Sequence, residues 1–380
     1  MGVWHRGGLP FMTTDRVVPG FVYRHRYLAK QLLAFINRHA PAFLSRKLSS
    51  IAGKVSFRVV PEYQGETLPP IFHYWSRRNV APLLARFGYD SPDGLYFSEI
   101  RKWADSSGSD EVSIASFGSG AGALELDLLA RLKAVGVNAN ILCIDFNRHL
   151  KERAEKAATE RGLNGNFRFL VADCNSVGAS VVGRHQIIIV NQFFHHVENM
   201  EGFCSMLRQV LEPGGAALTC DVVGRNGHAL WPSVSERVQA VWEKLSPDRQ
   251  FDRYFSARKR RYISVDHSAY SNEGIRAQDV VCELVKHFDF ELFLTYGGAV
   301  MPFVERRVGF NFDPENSDDR AFIDQVADAD NAAIDSGVYP ASNMIAVLRH
   351  AGMGGAMKHF PIDPSMHIKA TRSELARTLA

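Results

Sequence analysis

Short apolar runs alternate with segments of helical periodicity through the middle of the chain. The first run, residues 112–117, leads into three glycines at alternate positions and then into residues 124–132, whose leucines recur at helical spacing. Four more apolar runs follow at residues 141–145, 167–171, 186–191 and 216–222, with a helical segment at 200–211 before the last. This alternation predicts an α/β domain in which helices connect the strands.

The glycines lie in the turn between the first predicted strand and helix. Gly118, Gly120 and Gly122 suit a turn that needs positive φ angles, and they let a ligand approach the backbone at the helix N-terminus. An ordinary turn between a strand and a helix would also account for such a loop. The glycines alone are therefore a weak signal.

A carboxylate follows at an informative distance. Asp145 ends the second predicted strand, and there it can accept hydrogen bonds from both hydroxyls of an adenosine ribose. The spacing Gly118, Gly120 and Ala123 also satisfies the Gly-x-Gly-x-x-Gly/Ala fingerprint of enzymes that bind a nicotinamide dinucleotide. At this point both cofactor classes stay open.

The segments that follow resemble the class I S-adenosylmethionine-dependent methyltransferases. The resemblance rests on the glycine loop, Asp145, Ala172-Asp173, Asn191 to His196 and Leu211-Glu212-Pro213-Gly214-Gly215. The Leu-x-Pro-Gly-Gly turn is the most specific part, because dehydrogenases do not share it. The resemblance implies S-adenosyl-L-methionine as cofactor and a Rossmann-like sheet of order 3-2-1-4-5-7-6 with the last strand antiparallel.

The resemblance also implies a set of cofactor-binding residues. Asp173 would meet the adenine through its side chain and Cys174 through its backbone N–H. The full set is Gly118, Ser119, Gly120, Gly122, Asp145, Phe146, Asp173, Cys174 and Asn191. One position departs from the family: Ser116 stands where an acid two residues before the first glycine is usual. The hold on the cofactor's ammonium group must then come from elsewhere.

Three regions are predicted along the chain. Residues 1–105 form an N-terminal helical extension or lid, residues 106–350 the methyltransferase domain, and residues 351–380 a C-terminal tail. Insertions are expected after the fifth and sixth strands. An aromatic cluster in the extension, which includes Tyr74, suits either a lid over the cofactor or ordinary core packing.

Composition limits the partners. The net charge of +3 is too small to favour nucleic acid as a main partner, although residues 16–61 contain nine cations and no acid. That segment suits a solvated helical face or contact with an anionic membrane surface. The five cysteines lack metal-ligand spacing, and the first twenty residues lack a signal-peptide core, so we expect a cytoplasmic protein without a metal. The oligomeric state stays open.

Candidate acceptor-site residues lie where the fourth and fifth strands should end, since ligands of such sheets bind at the carboxyl ends of strands. His228 is the first candidate general base and His196 the second, with Asp221 orienting the base or holding a cation. Four further residues are candidate substrate contacts: His195, Trp231, Arg276 and Tyr74. For Arg276, a salt bridge with Glu273 or Asp279 is the structural alternative.

These patterns predict a methyltransferase that acts on a small molecule, through an oxygen atom of a sugar-containing or other natural-product acceptor. The resemblance extends to a bacterial subgroup whose substrates are mostly unassigned. Methylation of carbon or nitrogen in a small metabolite is an alternative. A non-catalytic binding module with the same fold is a rival that Ser116 motivates, and a nicotinamide enzyme is the weakest alternative.

Overall fold

The computed structural model describes residues 68–108, 111–269 and 271–379. The predictions for residues 16–61, and for most of the N-terminal extension, lie outside the described residues. None of the helices within the described residues combines the length and the apolar composition needed to cross a membrane.

Helices and strands alternate as the hydrophobic pattern predicts. The helices are α1 (Pro70–Ala85), α2 (Pro92–Ser107), α3 (Ala123–Ala134), α4 (Arg148–Glu160), α5 (Ala179–Val182), α6 (Met200–Val210), α7 (Pro232–Trp242), α8 (Val280–His287), α9 (Met301–Val304), α10 (Ser317–Asp335) and α11 (Pro364–Leu379). The strands of the main sheet are β1 (Val112–Phe117), β2 (Ala139–Asp145), β3 (Phe167–Val171), β4 (His185–Asn191), β5 (Leu211–Val222), β6 (Phe288–Tyr296), β7 (Asn343–His350) and β8 (Lys358–Phe360).

The eight strands form one sheet of order β3-β2-β1-β4-β5-β7-β6-β8. Strands β1 to β5 are parallel, and β7 lies antiparallel between β5 and β6. The predicted order 3-2-1-4-5-7-6 with an antiparallel last strand is therefore confirmed. Strand β8 adds a further edge, parallel to β6.

The central strands are apolar because helices cover both faces of the sheet. Side chains 187–190 of β4 are all 0% exposed, and they alternate between two separate apolar clusters. Helices α1, α2, α3, α7 and α10 contribute to one cluster, and α6 and α8 contribute to the other. This pattern is the one expected of a parallel sheet buried on both faces.

The Leu-x-Pro-Gly-Gly turn at the start of β5 has a physical explanation. Gly214 has φ +78°, and a Cβ at Gly215 would lie 2.4 Å from the carbonyl oxygen of Gln186. Glycine is needed at both places, since the first has a left-handed backbone and the second allows β5 to approach β4. The strand register also shifts there, between His185 and Ile187.

The C-terminal residues, which the sequence analysis treats as a tail, extend this domain. Strand β8 pairs with β6, and α11 contacts α7 and α8. Glu374 of α11 is 1% exposed and accepts hydrogen bonds from the backbone N–H and the hydroxyl of Ser233. The polar residues of the tail thus form buried contacts with the insertion after β5.

Candidate active site

The glycine loop joins β1 to α3 and lies beside the end of β2. Gly118, Gly120 and Gly122 all have positive φ angles, between +58° and +69°, as the sequence predicts. A Cβ at Gly118 would lie 2.0 Å from the ring of Phe193, so glycine at this position allows Phe193, in the loop after β4, to pack against the glycine loop. A Cβ at Gly120 would meet no atom within 4 Å.

Asp145, at the end of β2, holds the loop in place. Its carboxylate accepts hydrogen bonds from the backbone N–H groups of Gly120, at 3.2 Å, and Asn147, at 2.9 Å. Burial raises its pKa, although these backbone donors oppose the shift. A buried carboxylate beside an open glycine turn suits the hydroxyls of a ribose.

Residues at the end of β3 complete this edge. The thiol of Cys174 is buried against the backbone N–H of Gly118, and burial raises its pKa to about 12. Asp173 accepts hydrogen bonds from the backbone and side-chain nitrogens of Asn175, at 3.0 and 3.1 Å. Both residues thus lie where the resemblance places the adenine, while the contacts assigned to them stay predictions.

A carboxylate lies near the position where the family's acid is missing. Ser116 donates a hydrogen bond of 2.6 Å to Glu125, which belongs to the first turn of α3. The second carboxylate oxygen of Glu125 is buried and has no hydrogen-bond partner. Burial raises the pKa of Glu125 to about 7, against the hydrogen bond from Ser116, which lowers it. Nothing in the sequence around Glu125 marks this pairing, because Ser116 and Glu125 belong to different elements.

Asp221, at the end of β5, is 0% exposed and organises the loop after β4. Its carboxylate accepts the backbone N–H groups of Phe193 and Phe194, at 2.8 and 2.7 Å. It also accepts the Nδ1–H of His195 at 2.6 Å. Since an ionised carboxylate only accepts, this contact leaves Nε2 of His195 facing away from Asp221. Asp221 therefore positions a histidine and does not itself face an acceptor.

Three histidines and one glutamate converge beside this loop. Nε2 of His228 lies 3.4 Å from Oε2 of Glu273, and Nε2 of His195 and of His196 each lie 3.9 Å from the same oxygen. His196 donates its Nδ1–H to the carbonyl oxygen of Asn272 at 3.1 Å, which leaves its Nε2 free of a proton in the neutral form. We call these four residues the histidine cluster.

The backbone around the histidine cluster is tightly constrained. His228 has φ +56°, a conformation that costs a side-chain-bearing residue of order 1–3 kcal/mol and that collects at functional sites. The N–H of Gly227 donates to the carbonyl of Gly274 at 2.8 Å, and a Cβ at Gly274 would lie 3.0 Å from the backbone nitrogen of His228. Glycine at 274 therefore lets the Glu273 segment approach His228.

Electrostatics differ among the members of the cluster. Burial lowers the pKa of His195, but the carboxylate of Asp221 outweighs burial and raises it. Burial and the neighbouring His195 lower the pKa of His196 to about 4. Burial opposes the ionisation of Glu273, but the hydrogen bond from His228 and the nearby histidines hold its pKa at about 2. At neutral pH the cluster thus contains an ionised carboxylate and a neutral imidazole at His196.

Three predicted substrate contacts lie elsewhere. Trp231 is 1% exposed within the core, so it forms no wall of an open cavity. The guanidinium of Arg276 forms ion pairs with Glu201 and Asp279, at 2.6 and 2.8 Å, as the structural alternative anticipates for Asp279. Tyr74 donates its hydroxyl to Asp324 of α10 at 2.8 Å, which fixes α1 to α10. These engagements argue against the roles predicted from the sequence.

The lid region does contribute one contact to the cofactor edge. The hydroxyl of Tyr96, on α2, donates to Oδ1 of Asn191 at 3.0 Å, and the Tyr96 side chain is 0% exposed. Asn191 is a predicted cofactor contact at the end of β4. Sequence reasoning missed both Tyr96 and Glu273, because neither belongs to a motif of the strand ends.

Comparison with known families agrees with this architecture. The family described as "Methyltransferase domain" matches residues 115–219, which include the glycine loop, Asp145 and β5 as far as Thr219. This part of the chain is a class I S-adenosylmethionine-dependent methyltransferase domain. The open backbone at Gly120 beside a buried carboxylate fits the adenosine portion of S-adenosylmethionine. No curated protein matches the chain.

Solved structures that resemble this chain are distant in sequence. YcgJ from Bacillus subtilis is 17% identical with a TM-score of 0.36, and the match covers 69% of this chain and 99% of YcgJ. A candidate sarcosine dimethylglycine methyltransferase from Galdieria sulphuraria is 16% identical with a TM-score of 0.31 over 40% of this chain, and the chain spans 57% of that protein. These values are too low to indicate a substrate.

Proposed function

We propose that the protein transfers a methyl group from S-adenosylmethionine to an oxygen atom of a small-molecule acceptor. The acceptor class we favour is a sugar-containing or other hydroxylated natural product. The observation that carries the proposal is the histidine cluster, which follows β4 and β5 at the same edge of the sheet as the glycine loop. An alcohol is barely ionised at neutral pH, so its methylation needs such a proton acceptor.

The cofactor, when bound, supplies a methyl group that its sulfonium has already activated. The chain's residues then have three tasks. Asp145 and the glycine loop would hold the nucleoside, and Asn191, at the end of β4, would contact the cofactor beside it. His228 would accept the hydroxyl proton at Nδ1, because its Nε2–H faces the carboxylate of Glu273, or His196 would accept it at Nε2. Glu273 would stabilise the imidazolium, since its carboxylate lies 3.4 Å from His228.

Asp221 has a supporting role in this proposal. It fixes the tautomer of His195 and anchors two backbone N–H groups of the loop, so the cluster is ordered before an acceptor arrives. A small-molecule acceptor remains the predicted partner. The predictions of a cytoplasmic location, of no nucleic-acid partner, and of possible self-association stay predictions.

The test measures S-adenosylhomocysteine formation with a panel of hydroxylated, amine and acidic-carbon acceptors. We expect product with a hydroxylated acceptor, and a loss of kcat of about 10²–10⁴-fold in His228→Ala or His196→Ala, the range of general acid–base catalysis. His287→Asn is the matched control, because His287 also contacts a glutamate, Glu283, at 3.0 Å but lies on α8. Turnover with amines alone, unchanged in both cluster variants, would contradict oxygen methylation. Cofactor binding without turnover would favour the non-catalytic module.

A further inference from the structure

The histidine cluster has the composition and spacing of a transition-metal site. The ligand atoms of His195, His228 and Glu273 lie within 4.8 Å of one another. A zinc ion binds imidazole nitrogens at ~2.0–2.1 Å, so adjacent ligand atoms of a tetrahedral site lie about 3.4 Å apart. The 3.4 Å between His228 and Glu273 and the 3.9 Å between His195 and Glu273 are close to this spacing.

The groups behind the cluster are those that orient metal ligands. A metal-binding histidine usually donates its second ring N–H to a carboxylate or a backbone carbonyl. His195 donates to the buried carboxylate of Asp221 at 2.6 Å, which leaves its Nε2 toward Glu273. His196 has the same arrangement with the carbonyl of Asn272. An ordinary surface salt bridge does not require hydrogen bonds that fix the tautomers of His195 and His196.

The three ligands come from segments that the backbone holds together. His195 follows β4, His228 follows β5, and Glu273 begins the segment before α8. The hydrogen bond between Gly227 and Gly274, at 2.8 Å, and the left-handed backbone of His228 fix two of these segments against each other. Rigid positioning of this kind favours binding over a chance encounter of side chains.

From this geometry we infer that His195, His228 and Glu273 bind one divalent first-row transition-metal ion, such as zinc. His196 lies beside these three residues and is not one of the ligands. Two imidazoles and one carboxylate suit zinc or iron(II) better than magnesium or calcium, which prefer oxygen ligands. The three ligands are 33 and 45 residues apart in the sequence, so they do not form a short metal-binding motif.

The ion would also have a chemical use, and this part rests on the proposed function. Three protein ligands leave a coordination position open, and an acceptor hydroxyl bound there would have a lower pKa. Its O–H bond breaks as the oxygen forms a bond to the methyl carbon and the carbon–sulfur bond breaks. The released proton would pass to solvent water, since His228 is then a ligand.

The test uses the full chain without an affinity tag, after removal of metals by a chelator and dialysis. Calorimetric titration with Zn²⁺, and Co²⁺ titration followed by its visible d–d bands, should show one high-affinity ion per chain. Glu273→Gln and His228→Ala should each weaken the affinity by about a hundredfold or more, whereas His287→Asn should leave it unchanged. Titration with Mg²⁺ should give no heat.

Binding of S-adenosylhomocysteine, measured on the same metal-free proteins, checks that each variant is folded. It also separates failure of this inference from failure of the proposed function. Cofactor binding with no Zn²⁺ binding, or with Zn²⁺ binding that both variants retain in full, would overturn the metal site. A metal-free enzyme that methylates its acceptor at the full rate would overturn the chemical use of the ion.

Discussion

Glu125 is a buried carboxyl group that the sequence alone does not mark as unusual. It is 2% exposed, it accepts a hydrogen bond from Ser116, and its second oxygen has no hydrogen-bond partner. Ser116 occupies the position at which the family usually has an acid. The carboxylate of Glu125, in the first turn of the next helix, lies beside that position. Burial of an ionised carboxylate costs free energy, so burial raises the pKa of Glu125 to about 7 and the group stays protonated below that pH.

This raised pKa predicts how stability depends on pH. The folded chain keeps a proton that the unfolded chain loses near its ordinary pKa of 4.5, so Glu125 makes folding less favourable as pH rises through 7. Between pH 5.5 and pH 8 we expect this group to remove about 2 kcal/mol from the free energy of unfolding. Urea unfolding at both pH values measures the loss.

Glu125→Gln should show less of this loss, because glutamine does not ionise and can still accept from Ser116. Glu152→Gln, on the exposed face of α4, is the control and should behave as the wild type. Equal losses in the wild type and Glu125→Gln would contradict the assignment.

Residue-level prediction from sequence succeeds where the signal is local. Gly120 is predicted from the turn between the first strand and helix, and Asp145 from the end of the next strand. In the structure the backbone nitrogen of Gly120 lies 3.2 Å from the carboxylate of Asp145. Glu273 is different, because its importance arises only when the chain returns to His195 after 78 residues. The predicted substrate contact of Trp231 has a related difficulty. Its position after β5 does not determine the direction of the indole ring, which in the structure is buried in the core.

At the level of elements, α2 connects the N-terminal helices to the cofactor edge. Tyr96 is on this helix, and its hydroxyl reaches Asn191 at the end of β4. The sequence predicts helices in this region, but it directs attention to the aromatic residues of α1. Of these, Tyr74 contacts α10 instead.

Tyr96→Phe tests this connection. The change removes one buried hydrogen bond, so we expect a loss of about 1 kcal/mol in stability and a severalfold weaker affinity for S-adenosylhomocysteine, because Asn191 loses its fixed orientation. Tyr74→Phe is a matched control: it removes a hydroxyl contact of similar length from α1, and it should affect stability alone. Thermal unfolding and calorimetry provide the two readouts. An unchanged affinity in Tyr96→Phe would show that Asn191 does not depend on α2.

The boundaries of elements were predictable within a few residues in the core. Strands β1 and β3 lie where the apolar runs place them, and β4 begins one residue earlier. Two elements differ by five residues at their start. Strand β5 begins at Leu211 rather than at 216, and α8 covers only Val280–His287 although apolar residues recur at helical spacing from 275 to 288. Residues 277–279 instead form a 3₁₀ turn, and Gln278 in this turn exchanges two hydrogen bonds with Asn226, two residues before His228.

For the whole molecule, the order of the sheet followed from the family resemblance, since strand order is not encoded in any single segment. The packing of residues 351–380 on the domain could not be predicted from the sequence, because a glycine-rich polar stretch shows little apolar periodicity. Strand β8 and α11 are stabilised by tertiary contacts instead, including the buried carboxylate of Glu374 against Ser233. Such contacts over 141 residues are not visible in local sequence.

Calorimetric titration with S-adenosylhomocysteine tests the central claim most directly, which is that the glycine loop and Asp145 bind the cofactor. We predict a micromolar Kd, about −8 kcal/mol, that weakens at least tenfold in Asp145→Ala and in Gly120→Ala. Gly136→Ala and Asp127→Ala are the controls: the first incurs the same left-handed strain in open space, and the second removes an exposed carboxylate of α3. Absence of heat in the wild type, or equal affinity in Asp145→Ala and Asp127→Ala, would contradict the account.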